Sequence, residues 1–277
     1  MQELTDNVFF HEGFPNCGCV VTSEGVLAVD GPMDPAAAVE WREFMASKGP
    51  LRYVVHTEHH ADHIAANHFL GGTGVASEVT DALFEESFPS SEAARERLGG
   101  RFPGSAGLLE GYEVRRPEIV YRDRLTLRLG GQTFRLIHAP GHTRGQTVVH
   151  AVEARVVFTG DNITPGMHAF FHSASVWEWF RSVALLESLD VDWYAPGHGD
   201  PAGKDEIPRQ RRKMLDVVDG VRALKAKGLS REETIAQGSY IDRPGLAYPK
   251  ELGERARVLE SGGLGNIFDQ LEEHPAG

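Results

Sequence analysis

Leu51-Arg52-Tyr53-Val54-Val55-His56, followed by Thr57-Glu58-His59-His60-Ala61-Asp62-His63, joins a short apolar, β-branched run to three imidazoles and two carboxylates within seven residues. The first half has the composition of a buried strand. The second half crowds ionisable groups at that strand's C-terminal end, at a cost in hydration and repulsion that a bound cation would offset. A solvated loop rich in His and acid would have the same local composition. Remote partners change the reading: Ala139-Pro140-Gly141-His142-Thr143, Phe158-Thr159-Gly160-Asp161-Asn162 and Ala195-Pro196-Gly197-His198-Gly199 each set a His or Asp directly after a strand and a glycine.

Upstream, Asn7–His11, Cys17–Thr22 and Val26–Asp30 read as strands, with Ser23-Glu24-Gly25 as a turn. Asp34 as N-cap and Pro35 at the first helical position open a helix through about Ser47, stopped by Lys48-Gly49-Pro50. Strand, helix and the strand at Leu51–His56 form a βαβ unit. Downstream, residues 76–111 predict an irregular helical insertion covering one side of the site, with a capping signal at Pro89-Ser90-Ser91-Glu92. Arg124–Leu129 and Thr133–His138 alternate around a Gly130-Gly131 turn, and strands follow at Thr147–Val152 and Arg155–Thr159. A helix over Val176–Ser188 and a strand over Val191–Ala195 lead into the last His motif. The pattern predicts an α/β protein, an αββα sandwich of two sheets between helices, spanning residues 1–207. Residues 208–277 read as a mostly helical C-terminal segment with a break at Asp242-Arg243-Pro244-Gly245.

The 277 residues carry 28 Lys plus Arg against 40 Asp plus Glu, a net charge of −12, which argues against a nucleic-acid partner. The basic run Arg209-Gln210-Arg211-Arg212-Lys213 reads as the solvated start of a helix. No apolar stretch approaches the ~20 residues of a membrane span, and the N-terminus is polar and acidic with no leader pattern. The expectation is a cytoplasmic protein without membrane contact. Cys17 and Cys19 point to one face of an extended segment, too constrained for a routine disulfide, and read as small buried apolar residues.

In the ordered series from Glu58 to His198 the chain resembles the metallo-β-lactamase superfamily over residues from about 5 to 205. That family's first motif is H-x-H-x-D-H, and here Glu58 stands in place of its first histidine, with His60, Asp62 and His63 matching the rest. Residue by residue, the resemblance implies a first metal held by Glu58, His60 and His142, a second held by Asp62, His63 and His198, and Asp161 bridging the two. Mixed imidazole and carboxylate donors suit zinc, and also manganese or iron, better than Mg or Ca. Two such ions about 3.5–4 Å apart hold a hydroxide that attacks a polarised substrate. The substitution at Glu58 leaves two arrangements open: a harder ligand set that shifts the metal toward iron or manganese, or a first site without Glu58 and an enzyme working on one metal. His56 is the substitute ligand to consider, and His59 is placed to border the substrate.

Other residues have two readings each. Asp30 either orients a ligand histidine or caps its own turn. Asn67 and His68 read as packing and capping residues. In the loop from Thr164 to His172, His168 or His172 could donate a proton to a leaving group, the expectation carried here being Asp62 and His172 as catalytic residues, while a core histidine is the plainer reading. Tyr240, Tyr248 and Asn266-Ile267-Phe268 either close the pocket or dock the last helices. The resemblance implies a metal-dependent hydrolase acting on an ester-like bond of a small molecule, a thioester or lactone first. A mononuclear iron oxygenase, a β-lactamase-type amide hydrolase and a metal-poor binding scaffold are the alternatives, and a homodimer is compatible with the sequence.

Overall fold

The computed structural model describes residues 1–242 and 244–273 and sets its strands in two sheets, of seven and five strands. In the first, β1 (Gln2–Thr5), β2 (Val8–His11), β3 (Cys17–Thr22) and β4 (Gly25–Val29) pair in sequence as antiparallel neighbours. β5 (Leu51–Val55), β6 (Thr73–Ser77) and β7 (Ile119–Tyr121) then add in parallel. The second runs β12 (Trp193–Pro196), β11 (Val156–Gly160), β10 (Thr147–Ala151), β9 (Gln132–His138), β8 (Arg124–Leu129), with only the β11–β12 pair parallel.

Each parallel pair requires a crossover that covers the sheet. α1 (Pro35–Lys48) joins β4 to β5, begins at Asp34, whose side chain accepts from the Ala36 N–H, and ends before Gly49. Between β5 and β6 the chain makes two four-residue turns, α2 (Ala61–Ile64) and α3 (Asn67–Leu70). α4 (Glu78–Ser87) and α5 (Ser91–Arg101) lie between β6 and β7, with Ser77 and Ser90 capping their N-termini. α6 (Val176–Ser188) connects β11 to β12, and α7 (Glu206–Ala226), α8 (Arg231–Gln237) and α9 (Arg255–Glu273) complete the described chain. The interruption at 242–245 falls between α8 and α9, and its Arg243 lies outside the described residues.

Three apolar clusters fill the spaces between four layers. Val20, Leu27, Val55 and Val75 meet Phe134, Leu136, Val149 and Phe158 between the sheets. Trp41 and Met45 of α1, with Phe84 and Leu98, cover the outer face of the first sheet against Ala28 and Val54. Trp179, Val183, Met214, Val218 and Ile267 cover the second against Val148 and Val157. All five residues of β4, β10 and β11 are buried, as strands covered on both faces must be. The architecture is thus the α/β, αββα sandwich that the sequence predicts. Cys17 and Cys19 are buried and unbridged. Among the described residues no helix is long and apolar enough to cross a membrane.

The basic run 209–213 sits near the start of a helix with a solvated face, as expected, but one face of it turns inward. It lies inside α7, and Gln210 and Lys213 face inward while Arg209 and Arg212 remain exposed. Lys213 Nζ donates to the backbone oxygens of Thr164 (2.6 Å) and Met167 (2.9 Å) and to Thr164 Oγ1 (3.1 Å), pinning the loop that follows Asp161. Burial pushes its ammonium down to about 8, against a smaller upward pull from Glu206. Between that value and the ordinary lysine range the unfolded chain still holds a proton that the folded chain has released, so this group's contribution to stability rises with pH across that window. The difference in unfolding free energy between wild type and Lys213→Met is therefore expected to shift in the wild type's favour by about 1–2 kcal/mol from pH 7.5 to 9.5. Paired urea titrations at the two pH values check this, and a pH-independent difference would count against it.

Candidate metal centre

The site gathers where strands of both sheets end. β5 stops at Val55 and delivers Glu58 and His60 in an extended loop, then Asp62 and His63 on α2. His142 follows β9, Asp161 follows β11 and His198 follows β12. Two glycines make these junctions possible. Gly160 adopts a positive φ of 49°, where a side chain would be strained and would also strike Gln146 and Thr57. A Cβ on Gly197 would collide with Asp161 Oδ1 and lie 2.7 Å from His63 Cε1, so the chain approaches the centre this closely only as glycine.

Donor atoms of Glu58, His60 and His142 lie within 4.8 Å of one another, as do those of Asp62, His63 and His198 and those of Glu58, His63 and Asp161. All seven residues expected as ligands therefore meet in one place. Asp161 stands between the two groups: its carboxylate oxygens lie 3.7 Å from His63 Nε2, 3.7 Å from His142 Nε2 and 3.5 Å from His198 Nε2. Glu58 is fully buried beside them, with Oε2 2.7 Å from His60 Nδ1 and Oε1 3.8 Å from His63 Nε2.

Surrounding hydrogen bonds aim these donors. His63 Nδ1 is 2.9 Å from Asp30 Oδ2, which turns Nε2 inward, and Asp30 is itself held by the N–H (2.8 Å) and hydroxyl (2.6 Å) of Thr57. Asp30 thus fixes the orientation of His63, one of the candidate ligands. His142 Nδ1 is 2.9 Å from the Phe170 oxygen, leaving Nε2 to the centre, and Asn162 Oδ1 accepts from the His142 N–H. Replacing Asp30 by Asn removes the charge behind His63 and is expected to weaken metal affinity about 10–100-fold. Competition with a chromophoric chelator measures it, and wild-type affinity in that variant would reject the role.

The electrostatics favour bound cations. Burial works against ionisation of Glu58, Asp62 and Asp161, yet the surrounding histidines hold all three carboxyls well below their usual range. Burial lowers the His142 pKa, keeping that imidazole neutral, while the carboxylates raise those of His60, His63 and His198, cationic partners whose place a bound metal would take. Glu58 Oε1, His63 Nε2 and Asp161 Oδ1 are buried without a hydrogen-bond partner. Converging, orphaned N and O donors of this kind cost free energy unless something electropositive sits among them, and the donor set fits divalent transition metals.

His56, the substitute ligand considered from sequence, is outside all three donor groups. It is buried with Nδ1 3.3 Å from the His63 oxygen and its ring 5.8 Å from that of Phe84. His59 lines the cavity above the centre, as expected. His172 stacks on His60 with ring centroids 5.2 Å apart and meets His142 edge-on at 5.7 Å, whereas His168 packs against Tyr240. Tyr240 is buried, and Asn266 Nδ2 donates to the backbone oxygens of Phe171 and Ala174, so these residues dock the last helices. Asn67 donates to the Arg115 oxygen, and His68 Nδ1 accepts from the Glu113 N–H, the packing roles expected of them.

A family profile described as the metallo-beta-lactamase superfamily matches residues 12–198. The chain belongs to the metallo-beta-lactamase superfamily. It is 25% identical over 179 residues to the 2,4-dinitroanisole O-demethylase subunit alpha of Nocardioides sp., covering 63% of this chain and 49% of that one. It is 32% identical over 177 residues to a hydroxyacylglutathione hydrolase of Acidiphilium cryptum, covering 64% of this chain and 61% of that one. An atrochrysone carboxyl ACP thioesterase of Aspergillus fumigatus is 29% identical over 115 residues, 38% of this chain and 26% of the relative. The chain thus spans between about a quarter and three fifths of the length of these relatives. In fold it is similar to the sec-alkylsulfatase Pisa1 from Pseudomonas sp., with a TM-score of 0.68 at 17% identity, covering 99% of this chain and 51% of that one.

Relative to the superfamily motif, Glu58 occupies the first histidine's place without disturbing the cluster, since its carboxylate stands beside His60, His63 and His142. Sequence reasoning missed Thr57 and Asn162, which brace Asp30 and His142 from sheet ends. Thr57 sits in the quoted motif and could have been found by asking what satisfies Asp30. Arg97, Arg101 and Arg255, which line the cavity, carry no such signal.

Proposed function

We propose that this chain is a metal-dependent hydrolase of small-molecule thioesters, working with two divalent ions, zinc first among the candidates. Glu58, His60 and His142 hold one ion, Asp62, His63 and His198 hold the other, and Asp161 lies between them. The observation that carries this reading is the convergence of seven His and carboxylate side chains, several with orphaned donor atoms, of which His60, Asp62, His142, Asp161 and His198 line a cavity of about 420 Å³ while Glu58 and His63 lie beneath it. When bound, a divalent pair supplies a hydroxide nucleophile near neutral pH and polarises the carbonyl under attack. The thioesterase and hydroxyacylglutathione hydrolase among the relatives support an acyl–sulfur bond as the first substrate class, and a lactone presents the same acyl carbon.

The chain's own residues orient and screen. Asp62 Oδ2 and His198 Nε2 stand 3.2 Å apart, both aimed at the position the second ion would take. His172 borders the cavity stacked on His60, and burial together with His60 and His142 holds its pKa well below the ordinary value, so it stands as a neutral imidazole that can relay a proton to the leaving group. Phe14, Met33 and Phe170 line the wall and keep water away from the acyl chain. Purified protein loaded with zinc is expected to hydrolyse simple thioesters, with lactones as the second probe, and Asp62→Ala is expected to reduce turnover to background. Unchanged rates in that variant would reject the proposal.

A further inference from the structure

Outside the ligand set, the cavity above the centre is lined by three arginines, Arg97 and Arg101 of α5 and Arg255 at the start of α9, against one carboxylate, Glu86. Glu86 is committed elsewhere, lying 3.7 Å from both Arg144 and His59 Nε2. Among the described residues none of the three arginines forms an ion pair, on a chain whose net charge is −12. Unpaired guanidiniums gathered at one cavity repel one another, and Arg101 of the three is partly buried, a cost that an anionic ligand would reverse.

Their placement is fixed by the fold. Arg97 Nη1 donates to the Ser87 oxygen (3.1 Å), and its guanidinium lies 5.6 Å from the Phe88 ring centroid. Arg101 Nη2 donates to the Glu251 oxygen (3.0 Å), and its guanidinium lies 5.0 Å from the ring centroid of Phe14. The Phe14 ring is in turn 5.1 Å from that of His198, so one aromatic ring separates Arg101 from the metal centre. Arg101 Nε is buried with no hydrogen-bond partner. Each guanidinium has five N–H donors, and the two backbone contacts leave most of them free for the cavity. The Arg97 pKa is lowered first by burial and then by Arg255, with Asp62 of the metal centre pulling it up and Arg101 adding a smaller downward effect, so the arginines act on one another across the same cavity as the centre.

We propose that Arg97, Arg101 and Arg255 form a recognition site for an oxyanion, a carboxylate or phosphate carried by the substrate one aromatic ring's width from the scissile bond. The planar forks of arginine match both groups in bidentate fashion. Only the placement of the scissile bond rests on the hydrolase reading, because the anion site is tested by binding alone.

Calorimetric titration of the metal-loaded full chain with hexyl phosphate, hexanoate and hexanol reads the site directly. At least one anion is expected to bind tenfold or more tightly than hexanol, and Arg101→Gln and Arg255→Gln are each expected to weaken it about tenfold, with metal content unchanged. Arg255 is exposed, so its replacement leaves the fold intact. The stronger of the two anions identifies the group recognised, and equal binding by both supports a general oxyanion site. In turnover, the ratio of kcat/KM for S-acetyl-6-mercaptohexanoate over S-acetyl-6-mercaptohexanol should fall in the same variants. Anion binding that depends on arginine without turnover of any thioester would reject the hydrolase reading and support the anion site. Anion binding equal to that of hexanol, or unaltered by the arginine variants because the anion sits on the metal, overturns the proposal.

Discussion

Asp161→Asn is expected to lose metal from both halves of the centre and to cut turnover by two to four orders of magnitude. The carboxylate is 6% exposed and its oxygens stand within 3.7 Å of histidines from both donor groups, a little closer than Glu58, whose Oε1 also reaches His63 at 3.8 Å. The amide keeps the shape and removes the charge, so any loss reports electrostatics and not packing. Breaking a buried charge pair costs about 3–5 kcal/mol, and each 1.4 kcal/mol is a factor of ten in affinity. Metal titration and thioester turnover should fall together. Full metal content with normal turnover in Asp161→Asn would reject its place between the ions.

Trp179→Ala is expected to destabilise the chain by about 3–5 kcal/mol, a large part of the 5–15 kcal/mol that holds a domain of ordinary stability. The indole is fully buried, packs 5.0 Å from Phe171 and 5.6 Å from the His142 ring, and donates from Nε1 to the Asn162 oxygen at 3.0 Å. Its removal leaves a cavity under the second sheet, orphans that oxygen and takes away the wall that fixes His142. Urea unfolding reads the stability loss, and metal titration of the surviving folded protein reads the loosened ligand. Trp179→Phe fills most of the space without the N–H donor and should cost markedly less. Equal losses in the two variants would show that packing volume is not what matters there.

The strand-end motifs were legible because each is local: a β-branched run, a glycine and a ligand within five residues of one another. Once β5, β9, β11 and β12 are read, the seven donors must emerge at strand ends, and the structure brings them together. Strands with little apolar signal were not read. β1, Gln2-Glu3-Leu4-Thr5, is an edge strand with only Leu4 buried, and its acidic composition reads as irregular chain. β6, Thr73-Gly74-Val75-Ala76-Ser77, is short and small-residued, and β7 has three residues. The inward turn of Lys213 was hidden because a helix's buried face depends on what packs against it, here the loop after Asp161. The cavity arginines follow the same logic: residues 76–111 read as an irregular helical insertion covering one side of the site, and only the approach of α9 brings Arg255 near Arg97.

The two-metal centre is the claim on which the rest depends, and elemental analysis of protein purified without chelator, set against protein concentration, tests it most directly. Two equivalents of divalent metal per chain, zinc or manganese, are expected, falling to about one in Glu58→Ala as the group with His60 and His142 loses its carboxylate. A single equivalent in the wild type that does not change in Glu58→Ala, above all of iron, or almost no metal, would contradict it.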